Sequence, residues 1–169
     1  MSTSLVKAGK IFFIILIFFA ISCNNDCDKL SVKQASEVND SVKNMTDKIA
    51  LDVSSKGPVA WLNHFENSPG FFMASDGRLQ FPDNDSANRF INHTLVKTIR
   101  KIDLKWNNLR IDPLTKTLAG IRSDFHEDII MSDQKTLSID GYFTALAEKG
   151  PKGWQLRNAH WSIKKPGTM

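Results

Sequence analysis

The sequence predicts an α+β domain, in which three helices and a hairpin precede an antiparallel meander of strands. Three observations lead to this fold class. Apolar residues recur at helical spacing in the first half, an Asp-Gly pair separates two short strand-like segments, and four longer strand-like segments follow. A chain of 169 residues suits one domain, because domains usually contain roughly 100–150 residues. We place the domain at residues 31–165.

The first two helices follow from apolar periodicity and from the residues that interrupt it. The first helix carries an apolar stripe formed by Val38, Val42, Met45 and Ile49. Gly57 ends this helix, because glycine readily adopts the backbone conformations found after a helix. Pro58 suits the first turn of a second helix over 58–66, where Trp61 and Phe65 lie four residues apart on one face.

A hairpin and a third helix come next. Asp76-Gly77 divides residues 71–81 into two short strands and supplies the positive φ angles that a tight two-residue turn requires. Asp83 or Asp85 can accept the hydrogen bond of a helix N-cap. The buried stripe of the helix is predicted at Phe90, Leu95 and Ile99, with Val96 as a further candidate.

The second half of the chain predicts four long strands. They cover residues 101–111, 116–131, 136–148 and 153–164. The breaks between them contain Asp112-Pro113, Ser132-Asp133-Gln134 and Gly150-Pro151, all of which are common in turns. Strands joined by such short connections pair in antiparallel order.

The N-terminus has the pattern of a secretion signal. Lys7 and Lys10 precede the apolar run 11–21, which is too short for a transmembrane helix of ~20 residues. The segment that ends in Ser22-Cys23 resembles the lipobox of bacterial lipoproteins. That resemblance implies a signal peptide over 1–22, a lipidated Cys23 and a polar tether over 23–30. The alternative is an ordinary signal peptide with an incidental cysteine.

Charge and composition exclude several functional classes. The chain has 22 basic and 18 acidic side chains, and 20 basic residues remain without the two signal-segment lysines. This small excess argues against a nucleic-acid partner. Two cysteines cannot form a disulfide framework. No phosphate loop, nucleophile elbow or dinucleotide fingerprint occurs, so we predict no cofactor.

Several short motifs resemble the SnoaL-like branch of the nuclear transport factor 2-like superfamily. They are the segments 61–65 (WLNHF), 75–77 (SDG), 141–144 (GYFT) and 153–162 (GWQLRNAHWS). The resemblance implies a curved antiparallel sheet wrapped around three helices, with a cone-shaped pocket between them. The superfamily includes ketosteroid isomerases, polyketide cyclases, dehydratases and pure binding modules, so the fold does not settle the function.

Strand alternation predicts which side chains face this pocket. A tight turn at 132–134 places Phe125 opposite Tyr142, and the last hairpin then places Tyr142 near His160. Trp106 is expected near Ile121 across the first turn of the meander. The predicted ligand pocket therefore contains Trp61, Phe65, Trp106, Phe125, Tyr142, Thr144, Asn158, His160 and Ser162.

The opposite face of the predicted sheet is too apolar to contact water alone. It contains Leu109, Leu118, Leu137, Ile139, Phe143, Ala145, Ala159 and Trp161. We therefore expect a homodimer that forms sheet to sheet.

His160 is the candidate proton-transfer group, and Tyr142 is the second catalytic candidate. An imidazole in an apolar pocket can act as a general acid or base. The alternative is a buried histidine that only bonds to its neighbours. Glu127 or Asp140 could supply a carboxylate, although both are expected near strand ends and in water.

A metal site is a further hypothesis that the sequence does not favour. Asp124, His126 and Asp128 alternate on one strand face, and His64 lies on the short helix. No Cys/His spacing matches a zinc site, and this alternation more often forms an exposed polar edge. We therefore predict no metal.

These expectations combine into one leading hypothesis. The protein is expected to be anchored in the bacterial cell envelope, to face the periplasm, and to bind a small, largely apolar molecule in its cone. One alternative is an isomerase, cyclase or dehydratase that uses His160. The other is an interaction module that holds a partner protein at the envelope.

Overall fold

The computed structural model of the protein describes residues 29–164. Helix α1 spans Val32–Lys56 and begins with a capping box, in which Ser31 and Gln34 exchange hydrogen bonds. The predicted apolar stripe is confirmed, since Val38, Val42, Met45 and Ile49 are all buried. Gly57 follows the helix at φ 75°, in the region that favours glycine. The sequence therefore predicted both the buried face of this helix and its end.

The second predicted helix is a shorter and tighter element than expected. A 3₁₀-helix spans Pro58–Asn63, and the chain leaves it at His64. Trp61 and Phe65 are both buried, and their ring centroids lie 5.9 Å apart in a stacked arrangement. The aromatic pair therefore forms although the helix ends before Phe65.

The predicted hairpin is present as strands β1, Phe72–Ser75, and β2, Arg78–Phe81. Asp76 and Gly77 adopt φ angles of 47° and 79°, as a two-residue hairpin turn of this type requires. The hairpin extends the main sheet, because β1 pairs in parallel with the last strand of the chain.

The third predicted helix is divided into three parts. Helix α2 spans Asn84–Phe90, a π-helical segment spans Ile91–Leu95, and helix α3 spans Val96–Thr98. Asp83 is the N-cap and accepts a hydrogen bond from the Ser86 amide. The π-helical segment changes which residues face inward. Ala87 and Ile91 are buried, and the predicted Phe90, Leu95 and Ile99 are only partly buried against the core. The candidate Val96 is 46% exposed.

The remaining strands form the antiparallel meander that the sequence predicts. They are β3, Ile99–Pro113, β4, Leu118–Met131, β5, Thr136–Gly150, and β6, Gly153–Ile163. The six-stranded sheet has the order β2-β1-β6-β5-β4-β3. It is curved, and the three helices make the fold α+β as predicted. Within residues 29–164, no helix has the length and apolar character needed to cross a membrane.

The predicted pairing of β4 with β5 is wrong by one residue. Phe125 lies opposite Gly141, and Tyr142 lies opposite Asp124. The predicted register leaves only two residues, 133 and 134, in the turn. The observed turn contains three, 132–134, since the Met131 amide donates to the Lys135 carbonyl and Gln134 adopts a left-handed conformation at φ 72°. A shift of one residue turns every side chain of β5 to the other face of the sheet.

A β-bulge changes the faces of β6 as well. Leu146 pairs with Asn158, whereas Ala147 pairs with Leu156, so Arg157 is an extra residue without a partner in β5. Beyond the bulge, Trp161 points toward the helices and His160 points away from them. We define the inner face of the sheet by Trp106, Phe125, Phe143 and Trp161, and the outer face by Tyr142, Thr144, His160 and Ser162.

The side chains predicted for a sheet-to-sheet contact are therefore largely in the core. Phe143, Ala145 and Ala159 are buried, and Trp161 contacts Phe125 at a centroid distance of 4.6 Å. These side chains are in the core because the register shift and the bulge turn them to the inner face of the sheet. The homodimer stays a prediction, but these four residues cannot form its contact.

Candidate functional site

An apolar cavity of about 170 Å³ opens between the inner face of the sheet and the helical segments. We call it the cone cavity. Its walls include Trp61, Phe65, Phe81, Ile91, Ile129 and Trp161. The 3₁₀-helix, the hairpin, the π-helical segment and the sheet all contribute to these walls. The cavity therefore depends on the whole fold and not on one local motif.

Aromatic rings form one side of the cone cavity. Trp61 and Trp161 meet edge to face, with centroids 5.4 Å apart and an interplanar angle of 81°. Trp161 also contacts Trp106 at 6.0 Å and Phe143 at 5.0 Å. The indole nitrogen of Trp106 donates to the Thr46 carbonyl at 2.9 Å, which connects this cluster to α1. The rings that line the cavity are thus packed on a rigid base.

One carboxyl group lies among these apolar walls. Glu127 is on β4, between the cross-strand neighbours Leu104 and Ile139, and only 8% of its surface is exposed. Burial raises its pKa to about 7, and no hydrogen bond or charge within the described residues counteracts that effect. At neutral pH this side chain can therefore release or accept a proton inside the cavity.

Two of the larger depressions are more polar than the cone cavity. One, of about 520 Å³, lies on the outer face beside Asp124, Asp140 and Tyr142. The other, of about 510 Å³, lies beside Lys48 and other polar residues of α1. Ligand sites are usually apolar with a few converging polar groups. The cone cavity fits this description better than either larger depression.

Comparison with known proteins identifies the fold. A nuclear transport factor 2-like superfamily protein from Salmonella enterica serovar Typhimurium matches at a TM-score of 0.66 and 20% identity, over 79% of this chain and 96% of that chain. The chain has a nuclear transport factor 2-like fold. No family model and no curated protein sequence matches it.

Two further solved structures resemble the chain at lower TM-scores. The hexachlorocyclohexane dehydrochlorinase LinA-type3 from Novosphingobium barchaimii matches at a TM-score of 0.60 and 10% identity, over 76% of this chain and 90% of that chain. A protein of unknown function from Shewanella oneidensis matches at a TM-score of 0.55 and 16% identity, over 73% of this chain and 97% of that chain. At these identities the likeness concerns the fold alone.

Within this nuclear transport factor 2-like cone, the predicted pocket residues do not come together. Trp61 and Phe65 line the cone cavity. Trp106 and Phe125 lie on the inner face but belong to the aromatic cluster around Trp161. The remaining five are on the outer face, namely Tyr142, Thr144, Asn158, His160 and Ser162. The three-residue turn and the bulge separate the two sets.

The catalytic candidates His160 and Tyr142 share the outer face. His160 pairs with Thr144 across the sheet, and its ring nitrogens lie 3.4 and 3.5 Å from the Ser162 hydroxyl oxygen. Tyr142 is 45% exposed and pairs with Ser162. Neither side chain reaches the cone cavity, since the sheet lies between these two side chains and the cavity.

Asp52 and His64 form a buried pair where α1 meets the 3₁₀-helix. His64 Nε2 lies 3.0 Å from one Asp52 oxygen, and Lys48 and Lys56 each donate to the carboxylate at 2.7 Å. The lysine hydrogen bonds hold the pKa of Asp52 far below its usual range. Burial lowers the pKa of His64, so the neutral ring donates from Nε2. The cluster joins these two helices outside the cone cavity.

His126, a metal candidate in the sequence, forms ion pairs on the outer face. Its Nδ1 lies 2.9 Å from Asp140, and its Nε2 lies 3.3 Å from Asp128. The hydrogen bond to Asp140 is the main reason that the pKa of His126 is raised. Asp124 instead accepts from the Asn108 amide at 2.7 Å. Among the residues that the structure describes, none form a cluster that could hold a metal ion.

Sequence reasoning underestimated Glu127. The prediction placed this residue near the end of the strand 116–131 and in water, whereas the structure buries it. A signal was present in the alternation of the strand. Ile121, Ser123, Phe125 and Ile129 are buried at every second position, and Glu127 lies in the same series. An acidic residue in such a series is a candidate for a functional site.

Proposed function

We propose that the protein binds a small, largely apolar molecule in the cone cavity. The observation that supports this function best is the combination of an apolar, aromatic-walled cavity with a single buried carboxyl group, Glu127. Such a site removes apolar ligand surface from water and orients the ligand through one polar contact.

The size of the cavity limits the ligand. An engineered apolar cavity of about 150 Å³ takes up benzene, and the cone cavity is of similar volume at about 170 Å³. The expected ligand, or the part of it that enters, is therefore about the size of one six-membered ring with a short substituent.

Direct titration tests this function. Cyclohexylmethanol has the required size and one hydroxyl group, and we expect saturable binding to the purified protein by isothermal titration calorimetry. Leu95→Trp should weaken the binding at least tenfold, about 1.4 kcal/mol, because Leu95 lines the cavity and the larger side chain fills it.

Leu137→Trp is the matched control for this titration. Leu137 is 48% exposed and does not line the cone cavity, so the same change in size should leave the affinity unaltered. Absence of binding to the unaltered protein, or equal affinities for both variants, would contradict the proposed function.

Proton transfer is a second candidate function, and one observation favours it. A general acid or base works best when its pKa lies near the operating pH, and burial raises the pKa of Glu127 to about 7. Glu127 replaces His160 as the candidate group for an isomerase or dehydratase type of reaction. Binding alone and proton transfer differ in whether the bound molecule leaves unchanged.

We also propose that the protein is anchored in the bacterial cell envelope and faces the periplasm. The lipobox-like segment that ends at Cys23 supports this, and it lies outside the described residues. Several acyl chains on one residue make a stable anchor, because each buried methylene contributes ~0.8 kcal/mol and a single chain binds only marginally.

Loss of the anchor should be visible in cells. Cys23→Ala is expected to move the protein from the membrane fraction to the soluble fraction or to leave it unprocessed, because the thioether attachment site is gone. Cys27→Ala is the control and should remain in the membrane fraction. Incorporation of labelled palmitate into Cys23→Ala at the normal level would contradict the anchor.

A further inference from the structure

We propose that the ligand of the cone cavity is a small apolar amine, bound as the ammonium ion between the Glu127 carboxylate and the aromatic walls. This inference rests on the proposed function and adds the chemical class of the ligand. It follows from three features of the cavity: an unpartnered carboxyl group, the absence of a cationic side chain among the described lining residues, and the indole and phenyl rings.

Glu127 lacks a partner within the described part of the chain. Its neighbours across the sheet are Leu104 and Ile139, and burial without compensation determines its pKa. A buried charge is stable only when it is paired and hydrogen-bonded. An ammonium group supplies both the opposite charge and up to three donors.

Part of the usual cost of a buried ion pair does not arise on binding. Removing two ions from water commonly opposes their attraction. Here Glu127 is already largely removed from water in the folded protein, since only 8% of the residue is exposed. Desolvation of the ligand's own charge is therefore the main cost that binding adds.

The walls of the cavity favour the same sign of charge. Trp61, Phe65, Phe81 and Trp161 line the cavity, and aromatic faces attract cations through their quadrupoles. No lysine, arginine or histidine is among the lining residues that the structure describes. A carboxylate or phosphate ligand would meet Glu127 without any compensating positive charge, so the site disfavours anions.

The surrounding charged groups lie on other surfaces. Asp52, Lys56 and His64 line the depression beside α1, and His126 and Asp128 lie on the outer face next to Glu127 in sequence. The other ten side chains of the cone cavity carry no titratable group. Glu127 alone therefore controls how the charge of the cavity changes with pH.

A matched pair of ligands tests this inference. Cyclohexylmethylamine and cyclohexylmethanol have the same shape, and the amine is protonated at pH 8 because aliphatic amines titrate near pH 10. We expect the amine to bind the unaltered protein at least tenfold more tightly than the alcohol at pH 8 by isothermal titration calorimetry. At pH 6 the amine should lose most of this advantage, because Glu127 is then protonated.

Two variants assign the preference to one residue. Glu127→Gln should lower the affinity for the amine at least tenfold and change that for the alcohol little, since the amide keeps the shape and removes the charge. Glu37→Gln, on the exposed surface of α1, should change neither affinity.

The outcomes separate the two proposals. An affinity for the alcohol that equals or exceeds that for the amine would overturn the amine proposal and leave the proposed function standing. An amine preference that persists in Glu127→Gln would likewise overturn the amine proposal alone. Binding of neither compound would overturn both proposals. An amine preference that disappears in Glu127→Gln supports both.

Discussion

Gly141→Ala should destabilise the protein by about 3 kcal/mol or more, a large effect for one added methyl group. A Cβ atom at this position would lie 2.2 Å from the Ser162 carbonyl oxygen and 2.4 Å from two ring carbons of Phe125. The carbonyl belongs to the backbone of β6 and the ring is buried, so neither can move easily. Urea unfolding of the purified variant measures the change.

Gly120→Ala is the matched control. It also lies in a long strand, but its added Cβ would be 3.8 Å or more from any neighbour, an ordinary contact distance. Its stability should stay within about 0.5 kcal/mol of the unaltered protein. Equal effects of the two substitutions would show that Phe125 does not pack over Gly141, and would contradict the pairing of β4 with β5.

Glu127→Gln should change the pH dependence of stability by about 3 kcal/mol. Folding raises the pKa of Glu127 from its ordinary value of 4.5 to about 7, and each unit corresponds to about 1.4 kcal/mol. Below pH 4.5 the group is protonated in both states and has no effect. Between pH 4.5 and 7 only the unfolded chain ionises, so the carboxyl group increasingly destabilises the folded protein, and above pH 7 the loss is constant.

The measurement is the difference in unfolding free energy between Glu127→Gln and the unaltered protein, at pH 4 and at pH 8. From pH 4 to pH 8, the unfolding free energy of the variant should rise by about 3 kcal/mol relative to that of the unaltered protein. Any constant cost of burying the amide cancels, because it is the same at both pH values. Contributions from the other titrating groups cancel for the same reason.

Glu37→Gln serves as the control for this measurement, since its side chain is 64% exposed in α1. Its difference from the unaltered protein should be nearly independent of pH. Parallel pH profiles for Glu127→Gln and the unaltered protein would contradict the burial of Glu127. The expected instability at neutral pH also means that an ammonium ligand would stabilise the protein most above pH 7.

Most of the fold could be predicted from the sequence because its signals are local. The spacing from Val38 to Ile49 and the glycine at position 57 determine α1. Asp76-Gly77 determines the hairpin turn, since few other pairs tolerate two positive φ angles. The four long strands appear close to their predicted bounds, although Asp112-Pro113, predicted as a break, belongs to β3.

The candidate site was only partly predictable, because it depends on long-range register. Trp61 and Phe65 both line the cone cavity, although the helix on which they were predicted ends at Asn63. Tyr142 and His160 were placed on the wrong face, since the prediction assumed a two-residue turn before β5 and an uninterrupted β6. Neither Gln134 nor Arg157 carries an obvious sequence signal for the left-handed turn residue or the bulge that they form.

By itself, the sequence determined the elements of this protein, their order and the α+β class, because each depends on residues within a few positions of one another. Only the tertiary structure decided which polar side chain enters the cavity. Side chains alternate across a strand, so one extra residue in a turn or a bulge exchanges the two faces. That exchange moved His160 to the outer face, while Glu127 on β4 lines the cone cavity together with side chains of the 3₁₀-helix and the π-helical segment.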